Sequence, residues 1–506
     1  MDWFIIIFKK GFLEMKYFIF LVVVIVSWFS GPAFALQVCG EAKIGKAAVY
    51  ANGRIKPFVV HALDRMMFVT DDKKEVSKNG VKNYCQLSFG DKTRVLQEIK
   101  VKIYHNEIKK VLGFDHLSKN VYLTIYEFLN QREAFINLAR RTDDKRLVTI
   151  LDVYLEKMAT LEKILDGQDF KILIDNQWVY PLESPTLDQV VTYLTGKNNN
   201  QSMHVTFEYY NLLCRPFLIS MVVLLIAVVV FGVGKNYRMV ILISFISLLV
   251  QLLSMIVRGW VSKRIPLSNM YETVMLAGFV ANILGILFYY RWKEKLVLIS
   301  GLFLNIFTLF MLEFFTGMLD ASINPLMPVL KNNFWLGVHV FTVMVAYAAF
   351  AFSWLISNFF ICRDLYKERN LDTTNRFLHI ISDALNIGVV FLSAGILTGG
   401  MWADFAWGRF WGWDPKEVWS LIVLLVYMII LHGRYTNWIN QTKFIFLTAP
   451  AFLTVMMAWF GVNYVLATGL HSYGFSQGGT LFFFLFVSAQ LMLSVFHLVK
   501  SHFSFR

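Results

Sequence analysis

The sequence predicts an all-α polytopic membrane protein, with about nine spans behind an N-terminal signal or anchor and an N-terminal, mainly helical extracytoplasmic domain. Of its 506 residues 57% are hydrophobic and only 16% charged, and mean hydropathy is +0.53, a balance foreign to soluble chains. Beyond Tyr210 the chain breaks into apolar runs, and about twenty residues of helix cross roughly 30 Å of hydrocarbon. Ten prolines, thirty glycines and no low-complexity tract leave little room for linkers or disorder. The net charge of +13 would suggest nucleic acid in a soluble protein. In a membrane chain it sorts into loops that set orientation, so no nucleic-acid partner is expected.

Residues 1–35 form the expected signal sequence or anchor: Met15-Lys16 precede the run YFIFLVVVIVSWF, and Ala33-Phe34-Ala35 resembles a cleavage site. Met15 as the true start and an uncleaved anchor are both compatible with this pattern. Residues 36–205 form the extracytoplasmic domain, where hydropathy falls and apolar residues recur at three- and four-residue steps in KTRVLQEIKVKIYHNEIKKVLG and LVTILDVYLEKMATLEKILDG. Its Cys39 and Cys85 are compatible with a disulfide or with two separate thiols. His61, His105, His116 and His204 occur singly, without metal-ligand spacing, and read as surface or structural residues.

Residues 206–506 are the transmembrane domain, with spans near 212–233, 238–257, 270–290, 296–315, 334–361, 383–400, 419–433, 443–463 and 480–500. The seventh is short unless it starts inside the preceding loop. KNYR, RWKEK, CRDLYKERN, HGRYTNWINQTK and the tail VKSHFSFR are basic and alternate with neutral or aromatic loops. The positive-inside rule makes the basic set cytoplasmic and the first domain external, in agreement with the signal sequence. One exception, RGWVSKR before Ile265, is a basic stretch on the outer side, suited to anionic propionates or lipid headgroups. Cys214 and Cys362 read as packing residues.

Topology then sorts the histidines. His339 lies just inside the outer end of the fifth span, His471 in the outer loop after the eighth, and His432 at the inner end of the seventh. Between the outer two runs GGMWADFAWGRFWGWDPKEVW, with Trp402, Trp407, Trp411, Trp413 and Trp419. An interfacial aromatic belt would scatter its rings over many helix ends. Interleaved Gly408 and Gly412 let a loop fold tightly and approach a flat ligand, and indole faces supply the apolar contact. Two imidazoles on opposite sides would complete bis-axial ligation of a haem iron. Asp414 before Pro415 reads first as a helix cap, a role compatible with ligand contact.

WGRFWGWDPKEVWSLI resembles the tryptophan-rich (WWD) signature of CcsA/ResC-type cytochrome c biogenesis proteins, the haem-handling component of system II. The likeness extends to RIPLSNMYETV, FWLGVHV, LHGR and GLHSYG. YANGRIKPFVVHALDRM and NQWVYPLESP are similar, over a shorter stretch, to the segment that precedes this half in fused CcsB–CcsA proteins. The resemblance implies carriage of haem b, bound transiently as substrate, to an outer site, and its presentation in reduced form for thioether attachment to the Cys-x-x-Cys-His motif of apocytochrome c. It implies His339 and His471 as outer axial ligands, His432 as one membrane ligand, and Trp402, Trp407, Trp411, Trp413, Asp414 and Trp419 as the haem-binding loop. The family's other membrane histidine comes from the CcsB portion, and YFIFLVVVIVSWF has none. The chain therefore needs a separate CcsB/ResB-like membrane partner, or its inner haem site is incomplete; holocytochrome c synthase activity is expected only with such a partner, and thiol reductant proteins and membrane lipid are further expected partners. The implied location is a bacterial-type inner membrane, with the soluble domain and Trp loop on the periplasmic side. No nucleophile or general base is evident, so catalysis would rest on positioning. Two other readings compete: a transporter or quinone-binding membrane protein, and an assembly scaffold for a separate haem lyase.

Overall fold

The computed structural model describes residue 39 and, from residue 44 to residue 503, all but residues 104–105, 115–120, 175, 182–186, 196–201, 235, 316, 324–332, 365–370 and 467–478. Two compact units share them, the first ending at Arg215 and the second starting at Pro216.

The N-terminal unit mixes short helices with three hairpins. A 3-10 turn (Ile44–Lys46) leads into β1 (Ala48–Ala51) and β2 (Arg54–Pro57), followed by α1 (Phe58–Thr70), α2 (Lys73–Phe89), α3 (Lys92–Glu98), β3 (Lys100–Ile103), α4 (Asn106–Val111), β4 (Val121–Thr124), α5 (Ile125–Asn130), α6 (Arg132–Arg141), α7 (Lys145–Leu165), β5 (Ile172–Ile174), β6 (Gln177–Val179), α8 (Leu187–Thr195) and α9 (Met203–Cys214). Each hairpin is antiparallel, with β1 on β2, β3 on β4 and β5 on β6. The periodicity expected to carry a helix through KTRVLQEIKVKIYHNEIKKVLG breaks at Ile99, where Lys100–Ile103 pair with Val121–Thr124 as strands. The alternation of KVKI, with Val101 and Ile103 buried and Lys100 and Lys102 turned outward, is the period-2 signal that won.

Cys39 and Cys85 form a disulfide. His61 is fully buried, with Nε2 3.0 Å from the Tyr84 hydroxyl and 2.9 Å from an Asp169 carboxylate oxygen. Arg65 completes the cluster by donating to Asp169 and Asn52. Burial holds the imidazole below its ordinary pKa despite the Asp169 carboxylate, and pushes the Tyr84 phenol well up. His61 is thus a core residue, while His105 and His116 lie outside the described residues.

The second unit is a helical bundle: α10 (Pro216–Gly234), α11 (Tyr237–Ser262), α12 (Met270–Trp292), α13 (Lys295–Phe314), α14 (Asn333–Asp364), α15 (Leu371–Trp407), α16 (Pro415–Tyr435), α17 (Gln441–Met456) continued by a π-helical segment (Met457–Leu466), and α18 (Gly479–Phe503). Among the described residues nine helices are long and apolar enough to cross a membrane. The seventh starts at Pro415, inside the Trp-rich loop, and the sixth candidate span starts at Thr374, nine residues before the expected position 383. Its first turns carry Arg376, His379 and Asp383, polar residues that mask a helix start in a hydropathy reading.

The central helices α12 and α14 bury 67% of their apolar windows, whereas α10, α16 and α18 bury less than a third and turn the rest outward. α12 and α13 approach to backbone contact: a Cβ on Gly285 would lie 2.8 Å from the Cα of Gly301. Small residues at such crossings replace the hydrophobic drive that lipid cannot supply. Polar staples add to it. Gln490 of α18 accepts from Trp354 (2.7 Å) and Asn358 (3.0 Å) of α14, and Ser220 and Ser247 bond across α10 and α11. The bundle therefore has two chemically distinct ends, a basic end that holds Arg238, RWKEK and HGRYTNWINQTK, and an end that holds the Trp-rich loop.

Candidate functional site

At the Trp-loop end six segments converge on a cavity of about 170 Å³. The start of α12 and the residues before it contribute Leu267–Met270 and Thr273, and α14 contributes Leu336, His339 and Tyr347. The end of α15 contributes Gly399, Gly400 and Trp402, the loop Phe410 and Trp411, α16 Lys416, Glu417 and Ser420, and the π-helical segment Trp459 and Asn463.

The loop owes its shape to a helix start. Asp414 is the N-cap of α16 and accepts from the Lys416 N–H, Pro415 occupies the first helical position, and Glu417 closes a capping box. One Glu417 carboxylate oxygen accepts from the Gly412 N–H at 2.7 Å and the Asp414 N–H at 3.1 Å, which ties the WGWD turn to the helix. The turn reverses at two left-handed positions, Gly408 (φ +68°) and Trp413 (φ +56°). Glycine accepts that conformation without penalty, whereas a tryptophan held there carries strain of about 1–3 kcal/mol.

Contacts with Gly395 and Trp402 help to seat His339. Its Nδ1 lies 2.8 Å from the Gly395 carbonyl oxygen, and its ring lies parallel to Trp402 at 6.4 Å between centroids. A carbonyl only accepts, so Nδ1 carries the proton and the lone pair belongs to Nε2, the arrangement of an imidazole prepared to ligate a metal. Glycines create the room: a Cβ on Gly399 would meet the His339 ring at 2.7 Å, and one on Gly400 would meet the Phe410 ring at 2.4 Å.

The facing wall is fixed by a buried ion pair. Arg258 of α11 donates to Glu272 of α12 at 2.8 Å and to the carbonyls of Ala321 and Ser322. The second Glu272 oxygen accepts from the Ser268 N–H (2.7 Å) and hydroxyl (2.9 Å). Ser268 to Met270, which line the cavity, are thereby held to α11. Arg258, the first residue of the basic stretch RGWVSKR, is committed to Glu272. The π-helical segment is stapled to the same wall, Trp459 Nε1 donating to the Thr273 hydroxyl at 3.2 Å and Asn463 lying 2.8 Å from the Met270 sulfur. Such segments widen a helix locally and occur often at functional sites.

Of the residues singled out from sequence, His339, Trp402 and Trp411 line this cavity. Trp407 packs edge-on against Trp402 at 4.7 Å, Trp413 stands exposed beside Trp411, and Trp419, half-buried, packs against the bundle core. Asp414 acts through the cap. His471 lies outside the described residues. His432 is exposed near the basic end of α16, sixteen helical residues or about 24 Å from Lys416, so the fold does not bring it to His339. Trp459 and Asn463 were missed, although an asparagine inside an apolar span is a signal of polar function. His379 was missed too: it stacks on Trp292 at 5.9 Å, and its Nδ1 lies 3.5 Å from the Arg434 guanidinium at the basic end.

Residues 267–471 match the family model described as "Cytochrome C assembly protein". The chain is 36% identical over 242 residues to the "Cytochrome c biogenesis protein CcsA" of Chlamydomonas reinhardtii, covering 46% of this chain and 67% of that protein. It is 31% identical over 304 residues to the CcsA protein of Guillardia theta, covering 54% and 98%. Similarity to "Protein NrfI" of Wolinella succinogenes reaches 33% over 249 residues, 47% of this chain but only 26% of that longer protein.

Proposed function

Because the chain belongs to the cytochrome c assembly protein family and so acts in cytochrome c maturation and haem handling, we propose that the Trp-loop cavity is where haem is held for attachment. The observation that carries this reading is the pairing of His339, whose lone pair belongs to Nε2, with the parallel indole of Trp402 in a cavity cleared by Gly399 and Gly400. An imidazole ligand beside broad apolar faces fits a flat, iron-centred ring. His471 is the proposed second axial ligand. His432, at the other end of the bundle, is the proposed ligand of a separate membrane site completed by a CcsB/ResB-like partner.

The cargo is haem b, which supplies the vinyl groups to which acceptor thiols add. The chain positions it. His339 ligates and orients the ring, Trp402, parallel to the imidazole, backs it and holds it upright to the plane it ligates, Trp411 supplies an apolar wall, and Glu417 with Asp414 keeps the loop in register. A cavity of about 170 Å³ is smaller than the 300–1,000 Å³ of sites that engulf a drug-sized ligand, so an inserted ring keeps an edge outside for the Cys-x-x-Cys-His segment of apocytochrome c. Attachment then depends on proximity and orientation rather than on a protein nucleophile. The proposed setting is a bacterial-type inner membrane with the Trp loop on the periplasmic side. The basic loops at the opposite end and the Cys39–Cys85 disulfide support that orientation.

Protein purified in detergent from a haem-replete host is expected to be red, with the split absorption bands of six-coordinate haem, and His339→Ala is expected to shift or bleach them. Colourless wild-type protein would overturn the reading and favour a transporter of another flat solute.

A further inference from the structure

The cavity is built mainly of aromatic and aliphatic side chains, and most polar groups lining it are already engaged. Ser268 and Asn269 serve Glu272 and its helix start, Thr273 binds Trp459, Ser420 donates to the Glu417 carbonyl, and the Glu417 carboxylate is taken by two loop N–H groups. Lys416 is the one ammonium or guanidinium group among the described residues that line the cavity. Its neighbour Asp414 attracts it only at long range, and no described residue accepts a hydrogen bond or forms an ion pair with its Nζ. Such a half-buried group against apolar walls loses hydration with no hydrogen-bonded anion among the described residues in return.

We infer that Lys416 is the recognition point for a carboxylate of the bound ring, pairing its ammonium with a haem propionate and so selecting the acidic form of the cargo. The inference rests on the reading of the cavity as a haem site. Haem has an apolar, vinyl-bearing edge and an edge with two carboxylates. A single cation at the loop side of an otherwise apolar cavity holds the acidic edge there and fixes which way the ring lies in its plane. His339 cannot choose this, because axial ligation leaves rotation about the iron–nitrogen axis open. Lys416 sits one residue beyond Pro415 in a capped helix start, so its backbone is fixed by the same Asp414 and Glu417 contacts that shape the loop.

The test compares two ligands on one protein. Full-length wild-type protein in neutral detergent is titrated with haem and with haem whose two propionates are methyl esters, following the six-coordinate absorption bands. Haem should bind about ten- to a hundredfold more tightly than the ester, the range of one desolvated charged hydrogen bond. Lys416→Met should erase the difference by weakening haem alone, Lys416→Arg should retain most of it, and Lys443→Met, at the basic end, should leave it intact. Equal binding of both ligands by the wild type overturns the inference without any variant having to fold, as does full discrimination surviving in Lys416→Met. Binding of neither ligand overturns the haem reading itself, and this inference with it.

Discussion

One oxygen of Glu417 accepts from the N–H groups of both Gly412 and Asp414, so a single carboxylate couples the last turn of the Trp-rich loop to the helix behind it. Glu417→Leu removes the acceptor and strands two N–H groups, at about 1–3 kcal/mol each. The expected result is a lower thermal midpoint for the haem-loaded protein and weaker haem binding, both read by absorption, while Glu417→Gln keeps an acceptor and most of each. In the N-terminal unit, His61 carries a different kind of prediction. Its folded pKa is lowered, chiefly by burial, from an ordinary value of 6.5. The unfolded chain therefore binds the proton more readily, and stability present above about pH 6.5 is lost as pH falls from there toward the folded pKa. Pulse proteolysis in urea at pH 7.5 and 5.5 should show earlier cleavage of the unit at the lower pH. His61→Gln, even if less stable throughout, should lose most of that pH dependence. An unchanged slope in the variant would assign the effect to other groups.

At the scale of the element, α15 was visible in outline as an apolar run, but its functional end depends on Gly399 and Gly400, which line the face toward His339 and Phe410. Gly399→Ala places a methyl group 2.7 Å from the His339 ring, closer than packed atoms tolerate, so the ring must move off its seat between Gly395 and Trp402. The expected outcome is a shifted haem spectrum and weaker binding. The same change at Gly232 of α10 meets nothing within 4 Å and should leave the spectrum as it is. A Gly399→Ala spectrum identical to wild type would mean that His339 does not ligate from this position. The π-helical run Met457–Leu466 belongs to this scale too. Its residues read as an ordinary continuation of the eighth span, because a π turn leaves no hydropathy signature; the bonds from Trp459 and Asn463 to α12 declare it.

Across the whole molecule, α16 has the Trp-loop cavity at its start and His432, the proposed ligand of a second site, near its finish. Sites more than 20 Å apart without shared partners respond independently. His432→Ala is therefore expected to leave intact the absorption component that His339→Ala removes, and the double variant should show the sum of the two changes. A loss of the same bands in either single variant would mean one shared site. The buried Arg258–Glu272 pair also acts at this scale, since it joins α11, α12 and the 320–322 segment behind one wall of the cavity.

The amino-acid sequence by itself determined the membrane class, the nine apolar helices and the Trp-rich loop with its capped helix start, because hydropathy, loop charge and the Asp-Pro-x-Glu cap are local properties. It pointed to His339 through its position beside that loop. Only the tertiary structure decided which groups meet. Arg258 is spent on Glu272, Trp419 faces the core, Trp459 and Asn463 turn into the cavity, and Lys416 lines it with no hydrogen-bond partner among the described residues. Those outcomes depend on helix rotation and crossing, which are set by contacts between residues up to 193 positions apart, such as Asn463 with Met270, and a one-dimensional pattern carries no record of them.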